Sequence, residues 1–328
     1  MKAKAKAHTN IALIKYWGKR DETLILPMNS SLSLTLDRFY TVTQVEFAEN
    51  QTEDVFYLNG KQASGDETLK VSRFLDHIRK KAGKHFHATV RSENHVPTAA
   101  GFASSASGYA ALAAASAKAA GLDLSLTELS RLARLGSGSA CRSVFGGYVE
   151  WKKGEKEDGS DSHAVPLLDG GKFPVSVLAV MVEGKRKKVL SREGMKRTVY
   201  SSPFYRGWLE TVDEDLRLMK QALEKRDFTL LGETAERNAL KMHATTLGAV
   251  PPFYYWQSGT IAIMDMVRDM RRQNIETYFT IDAGPNVKVL CRREDEEKIA
   301  GMLKENPFVK DVILCRHGPG IAYLNDVE

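Results

Sequence analysis

Pro97–Gly108, PTAAGFASSASG, lies between a stretch of strand character, HFHATVRSE at 85–93, and an Ala-rich stretch of helical character, YAALAAASAKAA at 109–120. Small residues let backbone N–H groups come close to a phosphate, serines add hydroxyl donors, and a helix N-terminus adds partial positive charge. The segment therefore reads as an anion cradle. A Ser-rich capping loop on a tightly packed helix is the alternative that the residues leave open. It is not the GxxxxGK[ST] loop, because the lysine is missing.

Working outward, Val71, Phe74, Leu75 and Ile78 follow the i, i+3, i+4, i+7 spacing of an amphipathic helix, and Gly83 stands where that helix stops. Before it, Leu32, Leu34 and Leu36 alternate in steps of two and lead to Val42, Val45 and Phe47, so several strands are expected up to about residue 60. Asn59-Gly60 gives a hairpin turn, because both residues tolerate positive φ. On the other side, Lys152–Lys172 reads as a polar connector, and PVSVLAVMV at 174–182 as a buried strand that opens a second half. Helices are predicted near 205–226, 228–242 and 259–273, then strands in YFTID, VKVLC and VILC with a helix between the last two. Strands and helices in mixed runs predict an α+β architecture of two layered domains, 1–175 and 176–328.

Composition narrows the function. The chain has 328 residues, 43% hydrophobic and 27% charged, which suits a folded domain pair and favours neither a disordered nor a fibrous class. A net charge of +6 suits anionic partners, yet 41 acidic residues are interspersed among 47 basic ones, so small anions fit better than nucleic acid. Cys141, Cys291 and Cys315 form no CxxC pair, which argues against a disulfide framework or zinc site and for a reducing, cytoplasmic compartment. The basic opening, MKAKAKAHTNIALIKYWGK, lacks the apolar core of a signal peptide, and Ala106–Leu124 is broken by Ser107, Ser116, Lys118 and Asp123, so no membrane span is expected.

Three further segments carry candidate chemistry. In GSGSACRSVFGG, 136–147, small residues and the hydroxyls of Ser137 and Ser139 surround Arg142, whose guanidinium can grip a carboxylate or phosphate in bidentate fashion; a flexible connector with a surface arginine is the bland alternative. Asp282, at the end of an apolar strand and before Gly284-Pro285, is placed to accept a proton from a hydroxyl, or else only to form a turn. Lys15, Tyr16, Lys19 and Arg20 crowd cations and a phenol together, as do Lys187, Lys188, Ser191 and Arg192, and solvated lysines are the usual explanation of such crowding. His8 and His243 lack metal-spaced partners and read as structural, hydrogen-bonded histidines.

Taken in order, HTNIALIKYWGK, PMNSSLSLTLDR, PTAAGFASSASGYAALA, RLARLGSGSACRSVFGG, SREGM, MHATTLGAVPPF and YFTIDAGPNVKVL resemble the GHMP family of small-molecule kinases, and within it the decarboxylating branch, from Ala7 to about Lys288. Cys141 replaces the usual Ser or Ala, and Phe102 a frequent Leu; neither removes a donor that the chemistry requires.

The resemblance implies a ribosomal-protein-S5-like N-terminal domain and a ferredoxin-like C-terminal domain with the active site between them, and commonly a homodimer. It implies ATP-dependent decarboxylation of mevalonate 5-diphosphate to isopentenyl diphosphate with ATP as cosubstrate and Mg2+ held mainly by phosphate oxygens, with Ser105 as a further ligand. By position it makes Asp282 the base or orienting group, Arg142 the grip on the carboxylate, and Lys19 a third catalytic group. Tyr16, Lys19, Ser137, Gly138, Ser139, Arg142, Ser191, Arg192 and Met195 would hold substrate. Pro97, Ala99, Ala100, Gly101, Ala103, Ser104, Ser105, Ser107, Lys187 and Lys188 would hold ATP. The segment after about Arg292 receives no site. Two alternatives stand beside this reading: a relative that only phosphorylates the hydroxyl or takes the monophosphate, and a non-catalytic nucleotide- or RNA-binding protein, which would have no need of Asp282.

Overall fold

The structure is a computed structural model in which residues 1–96, 104–182 and 189–325 are described. The N-terminal half contains β1 (Lys2–Ile14), β2 (Lys19–Asp21), β3 (Leu26–Pro27), β4 (Ser31–Ala48), β5 (Val55–Leu58), β6 (Lys61–Gln62), α1 (Gly65–Ala82), β7 (His87–His95), α2 (Ser104–Ala119), α3 (Leu126–Gly136), β8 (Tyr148–Trp151) and β9 (Ala164–Leu168). The rest contains β10 (Val175–Met181), α4 (Ser191–Ser201), α5 (Tyr205–Lys225), α6 (Phe228–Leu247), α7 (Ser258–Arg272), β11 (Thr277–Ile281), β12 (Val287–Arg292), α8 (Glu296–Lys304), β13 (Asp311–Cys315) and β14 (Ala322–Leu324).

Among the described residues the first sheet has eight strands, built around the long antiparallel pair β1 and β4. β4 carries β8 beside its first part, Leu34 opposite Tyr148, and β7 beside its second, Tyr40 opposite His95. Asn59 and Gly60 take φ of 50° and 78° between β5 and β6, the positive-φ pair that a tight hairpin needs. Helix α1 opens on a Ser64–Glu67 capping box and ends on Gly83 in the left-handed region, burying Val71, Phe74, Leu75 and Ile78. The alanines of α2 let it lie directly on β1 and β4.

The second sheet runs β11-β12-β10-β13, all antiparallel, the strand order of a ferredoxin-like unit. Helices α7 and α8 cover one face through Ile263, Val267, Ile299 and Leu303. Helices α5 and α6 lie in a core that also takes in Ile11, Leu13, Ile14 and Trp17, so one apolar cluster joins the two sheets.

Three features differ from the sequence expectation. Helix α6 runs on to Leu247, because Thr245 and Thr246, poor helix formers, return their hydroxyls to the carbonyls of Met242 and His243. The polar stretch after Lys152 contains β9, an edge strand beside β8 that tolerates Pro166. The last strand, β14, returns from the C-terminal segment to pair with β1, Ala5 opposite Tyr323.

Candidate active site

Asp282 follows β11, whose five residues are all buried, and the N–H of Gly284 donates to its backbone carbonyl at 2.7 Å. Two lysines meet its carboxylate. Lys15 Nζ, just past the end of β1, lies 2.7 Å from Oδ1, and Lys288 Nζ, on β12, lies 3.3 Å from Oδ2. The lysine side chains are 3% and 1% exposed and the aspartate 22%, so the carboxylate is the face left open. The main chain of Lys15 is pinned from both sides, its N–H donating to Asn238 Oδ1 at 2.8 Å and its carbonyl accepting from Asn29 Nδ2 at 2.8 Å.

The electrostatics follow from this geometry. Burial by itself would push the Asp282 carboxyl up, but Lys15 and Lys288 outweigh it and hold the group well below the usual carboxylate range. Burial pushes Lys15 down, with Asp282 opposing and Lys288 and Arg142 assisting. His243 on α6, bonded through Nε2 to the carbonyl of Ile281 at 3.3 Å, is pushed down to about 3 by burial and by Lys15. It is neutral at physiological pH. Asp282 is thus a firmly ionised hydrogen-bond acceptor, better suited to orienting a hydroxyl than to retaining its proton.

Arg142 is built differently. The segment read as a connector is a 3-10 helix, Gly138–Val144, and Arg142 is 2% exposed rather than surface-lying. Its Nε donates to Ser33 Oγ at 3.0 Å and Asn10 Oδ1 at 3.3 Å, Nη2 to Asn10 Oδ1 at 3.2 Å, and Nη1 to Ser31 Oγ. Asn10 is itself fixed by donating to Ser143 Oγ at 2.8 Å and the Ser139 carbonyl at 3.1 Å. Among the described residues no carboxylate lies within ion-pair distance of Arg142. A buried guanidinium held by neutral groups, with N–H capacity to spare, is a site for an incoming carboxylate or phosphate.

A line of hydroxyls joins this corner to the start of α2: Ser105 Oγ to Ser137 Oγ at 3.2 Å, then Ser137 Oγ to Ser139 Oγ at 3.4 Å. Ser104 and Ser105 are exposed in the first turn of α2. Gly138 has no room for a side chain, since a Cβ there would stand 2.7 Å from the Trp151 ring and 2.9 Å from that of Tyr16. Tyr16 packs its ring edge-on against Trp151 at 4.7 Å, and its buried hydroxyl has no hydrogen-bond partner among the described residues. Burial raises that phenol far above its ordinary value. Ser191, Arg192 and Met195 lie in the first turns of α4, Arg192 exposed and near enough to Tyr16 to act on it electrostatically.

Several expectations need correction. Ser107, expected among the nucleotide-facing hydroxyls, faces inward instead, within 2.8 Å of Thr41 Oγ1, because its helix position points at the sheet. Lys19 pairs with Glu22 at 2.5 Å, and the cations on Asp282 are Lys15, expected to be solvated, and Lys288. His8 and His243 are structural, as expected, each bonded to a backbone carbonyl. Pro97, Ala99, Ala100, Gly101, Ala103, Lys187 and Lys188 lie outside the described residues.

Sequence reasoning missed Asn10, Ser31, Ser33 and Lys288. A signal was present: Ser31, Ser33 and Thr35 alternate with leucines, and a solvent-facing strand edge would more often carry Lys or Glu there. Lys288 inside the apolar VKVLC is a similar clue.

A hollow of about 340 Å³ lined by Glu233, Glu236, Arg237, Leu240, Lys241, Arg271 and Tyr278 shares no residue with this site. Its cations are already matched, Arg237 and Lys241 with Asp215 and Arg271 with Glu236.

The chain is similar to known proteins over most of its length. Residues 7–164 match the profile of the diphosphomevalonate decarboxylase-like N-terminal domain, and 177–317 that of the mevalonate 5-diphosphate decarboxylase C-terminal domain. The chain is 39% identical over 314 residues to the diphosphomevalonate decarboxylase of Saccharomyces cerevisiae, covering 90% of this chain and 79% of that one. A solved structure of mevalonate diphosphate decarboxylase from Enterococcus faecalis is 49% identical, covers 99% of both chains and superposes with a TM-score of 0.91. A structure described as MDDEF in complex with MVAPP, AMPPCP and magnesium is 50% identical, covers 99% of both chains and has a TM-score of 0.93. Among the described residues no helix is long and apolar enough to cross a membrane.

Proposed function

The chain belongs to the diphosphomevalonate decarboxylase family, with the two-domain GHMP kinase fold, and from that premise we propose how its residues carry the reaction. The enzyme uses ATP and Mg2+ to convert mevalonate 5-diphosphate into isopentenyl diphosphate, ADP, phosphate and carbon dioxide, a step of the mevalonate pathway. The observation that carries the residue assignment is the pairing of an ionised, partly open carboxylate with a buried guanidinium that has no carboxylate partner among the described residues.

Asp282 accepts a hydrogen bond from the tertiary 3-hydroxyl and aims its oxygen at the γ-phosphorus of ATP. The new O–P bond forms as the bond to the ADP oxygen breaks, and the hydroxyl proton passes along its hydrogen bond to Asp282, which gives it up to solvent as products leave. Phosphoryl transfer has a loose transition state that needs positioning more than a strong base, which suits a carboxylate of low proton affinity. Arg142 then holds the substrate carboxylate in its fork. As the C–O bond to phosphate breaks, positive charge grows at C3. The C–C bond to the carboxylate supplies its electron pair, the double bond forms and carbon dioxide leaves.

Tyr16, Lys19, Ser137, Gly138, Ser139, Ser191, Arg192 and Met195 are proposed to seat the substrate, its diphosphate above all. The buried phenol of Tyr16 and the hydroxyls at Ser137 and Ser139 support this. Ser104 and Ser105, exposed at the start of α2, face the ATP phosphates, with Pro97, Ala99, Ala100, Gly101, Ala103, Lys187 and Lys188 as proposed neighbours. The ion is proposed to be held mainly by phosphate oxygens, with Ser105 as a further ligand, because Mg2+ keeps several waters and seldom needs a full protein cage. That ion would neutralise charge on the phosphates.

The domain division near residue 175 is supported by family matches that end at 164 and resume at 177. Three buried free cysteines support a cytoplasmic setting, and the family habit supports a homodimer.

The test measures carbon dioxide and ADP together, with Mg-ATP and either mevalonate 5-diphosphate or the monophosphate. Equal amounts of both products from the diphosphate alone are expected. ADP without carbon dioxide would make the enzyme a kinase.

A further inference from the structure

Lys288 is a buried cation at this corner to which the reaction above gives no task. It stands mid-strand in β12, between β11 and β10, opposite Thr280 and Ala179. Its side chain is 1% exposed, in a strand whose other positions through Cys291 are Val, Val, Leu and Cys. Removing an ammonium from water costs several kcal/mol unless a partner compensates it. The partner is Asp282, whose Oδ2 lies 3.3 Å from Nζ, with the Asn286 carbonyl also at 3.3 Å. Lys15 reaches the other oxygen from the opposite sheet, so the carboxylate is fixed at both ends.

Resting on the role given to Asp282 above, we propose that Lys288 is a positioning residue that keeps the Asp282 carboxylate turned to the cleft and ionised while the anionic substrate and nucleotide gather around it. A carboxylate that acquired a proton would donate to the 3-hydroxyl instead of accepting from it. The substrate brings a carboxylate and a diphosphate and the nucleotide a triphosphate, and each negative charge nearby raises the proton affinity of Asp282. Lys15 already shares itself with the Ala12 carbonyl at 2.8 Å. The other groups around this corner are Arg142 from the 3-10 helix, neutral His243 from α6, the neutral phenol of Tyr16, Arg192 from α4, the Lys19–Glu22 pair, and Asp215 of α5, which lies behind Asn238. Of these only Lys15 and Lys288 touch the carboxylate.

The experiment records kcat and KM for wild type, Lys288→Met and Lys288→Arg from about pH 3.5 to pH 8, so that a limb rising from below the usual carboxylate range enters the window. Lys288→Met is expected to leave both KM values within about twofold and to lower kcat with a single-proton acid limb moved up by about 1 to 3 pH units, the effect of losing an opposite charge at this range. Lys288→Arg is expected to return the limb towards the wild-type position. Profiles that stay parallel to wild type, or a change in KM alone, would overturn the proposal, since a merely structural lysine lowers activity evenly across pH. Should Lys288→Met not fold, Lys288→Gln, which keeps the length and a donor without the charge, is judged by the same outcomes. Asp282→Asn separates the two readings. If that variant turns over normally, the role of Asp282 falls and that of Lys288 with it. If it loses turnover while Lys288→Met keeps the wild-type profile, Lys288 alone loses its role.

Discussion

The corner around Asp282 and the corner around Arg142 both bury a charge, yet they treat it in opposite ways. Asp282 has opposite charge at both of its oxygens from within the chain, from Lys15 and Lys288. Among the described residues the Arg142 guanidinium has hydrogen bonds only with Asn10, Ser31 and Ser33. The first is therefore set before any ligand arrives, and the second is completed by one. A charge held by neutral groups in a low-dielectric setting keeps most of its attraction for an incoming ion, whereas a compensated one contributes geometry.

The largest effects should come from removing each group in turn. Asp282→Asn is expected to lose turnover by about a hundredfold or more while substrate still raises the melting temperature as in wild type. Arg142→Lys keeps charge but loses the planar fork, so it should lose turnover and also most of the substrate-induced thermal shift. Equal thermal shifts in the two variants would break the contrast between a corner set in advance and one that waits for its partner.

A smaller effect tests the rigidity of the Asp282 corner. His243, which supports the Ile281 carbonyl next to Asp282, is held neutral with its pKa pushed down to about 3 against about 6.5 in an unfolded chain. Its folded value lies below the unfolded one, so its contribution to stability is complete above about pH 6.5 and declines as pH falls towards 3. At pH 5 the loss should be on the order of 2 kcal/mol. Denaturant melts at several pH values should show this slope, and His243→Gln should flatten it.

The smallest effect belongs to the Arg142 corner. Ser33→Ala removes one of several neutral acceptors and should cost about 1 kcal/mol in substrate binding with little change in kcat. A large fall in kcat from this change would mean that the guanidinium is held in place far less redundantly than its four hydrogen bonds suggest.

Much of the fold was legible in the sequence. Helix α1, the Asn59-Gly60 turn and the strands around Asp282 were readable because each depends on local spacing, on residues that tolerate positive φ, or on an apolar run closed by a turn. Edge strand β9 and strand β14 were not, since their short, mixed sequences become strands only by pairing with β8 and β1. In the site, Arg142 and Asp282 stood out as isolated charges among small or apolar residues. Lys15 did not, because a lysine beside Tyr16, Lys19 and Arg20 looks like any solvated cation until its burial is known.

The sequence by itself determined the class of chemistry: a small-residue anion loop, a guanidinium among serines, and a carboxylate at a strand end are choices of residue type, and residue type needs no neighbours to be read. Only the tertiary structure decided the state of those groups. Lys15 and Lys288 lie 267 and 2 residues respectively from their hydrogen-bond partners Asp282 and Asn286, and Asn10 lies 132 from Arg142. Whether a charge is compensated depends on distance and burial in space, and no local pattern along the chain encodes those.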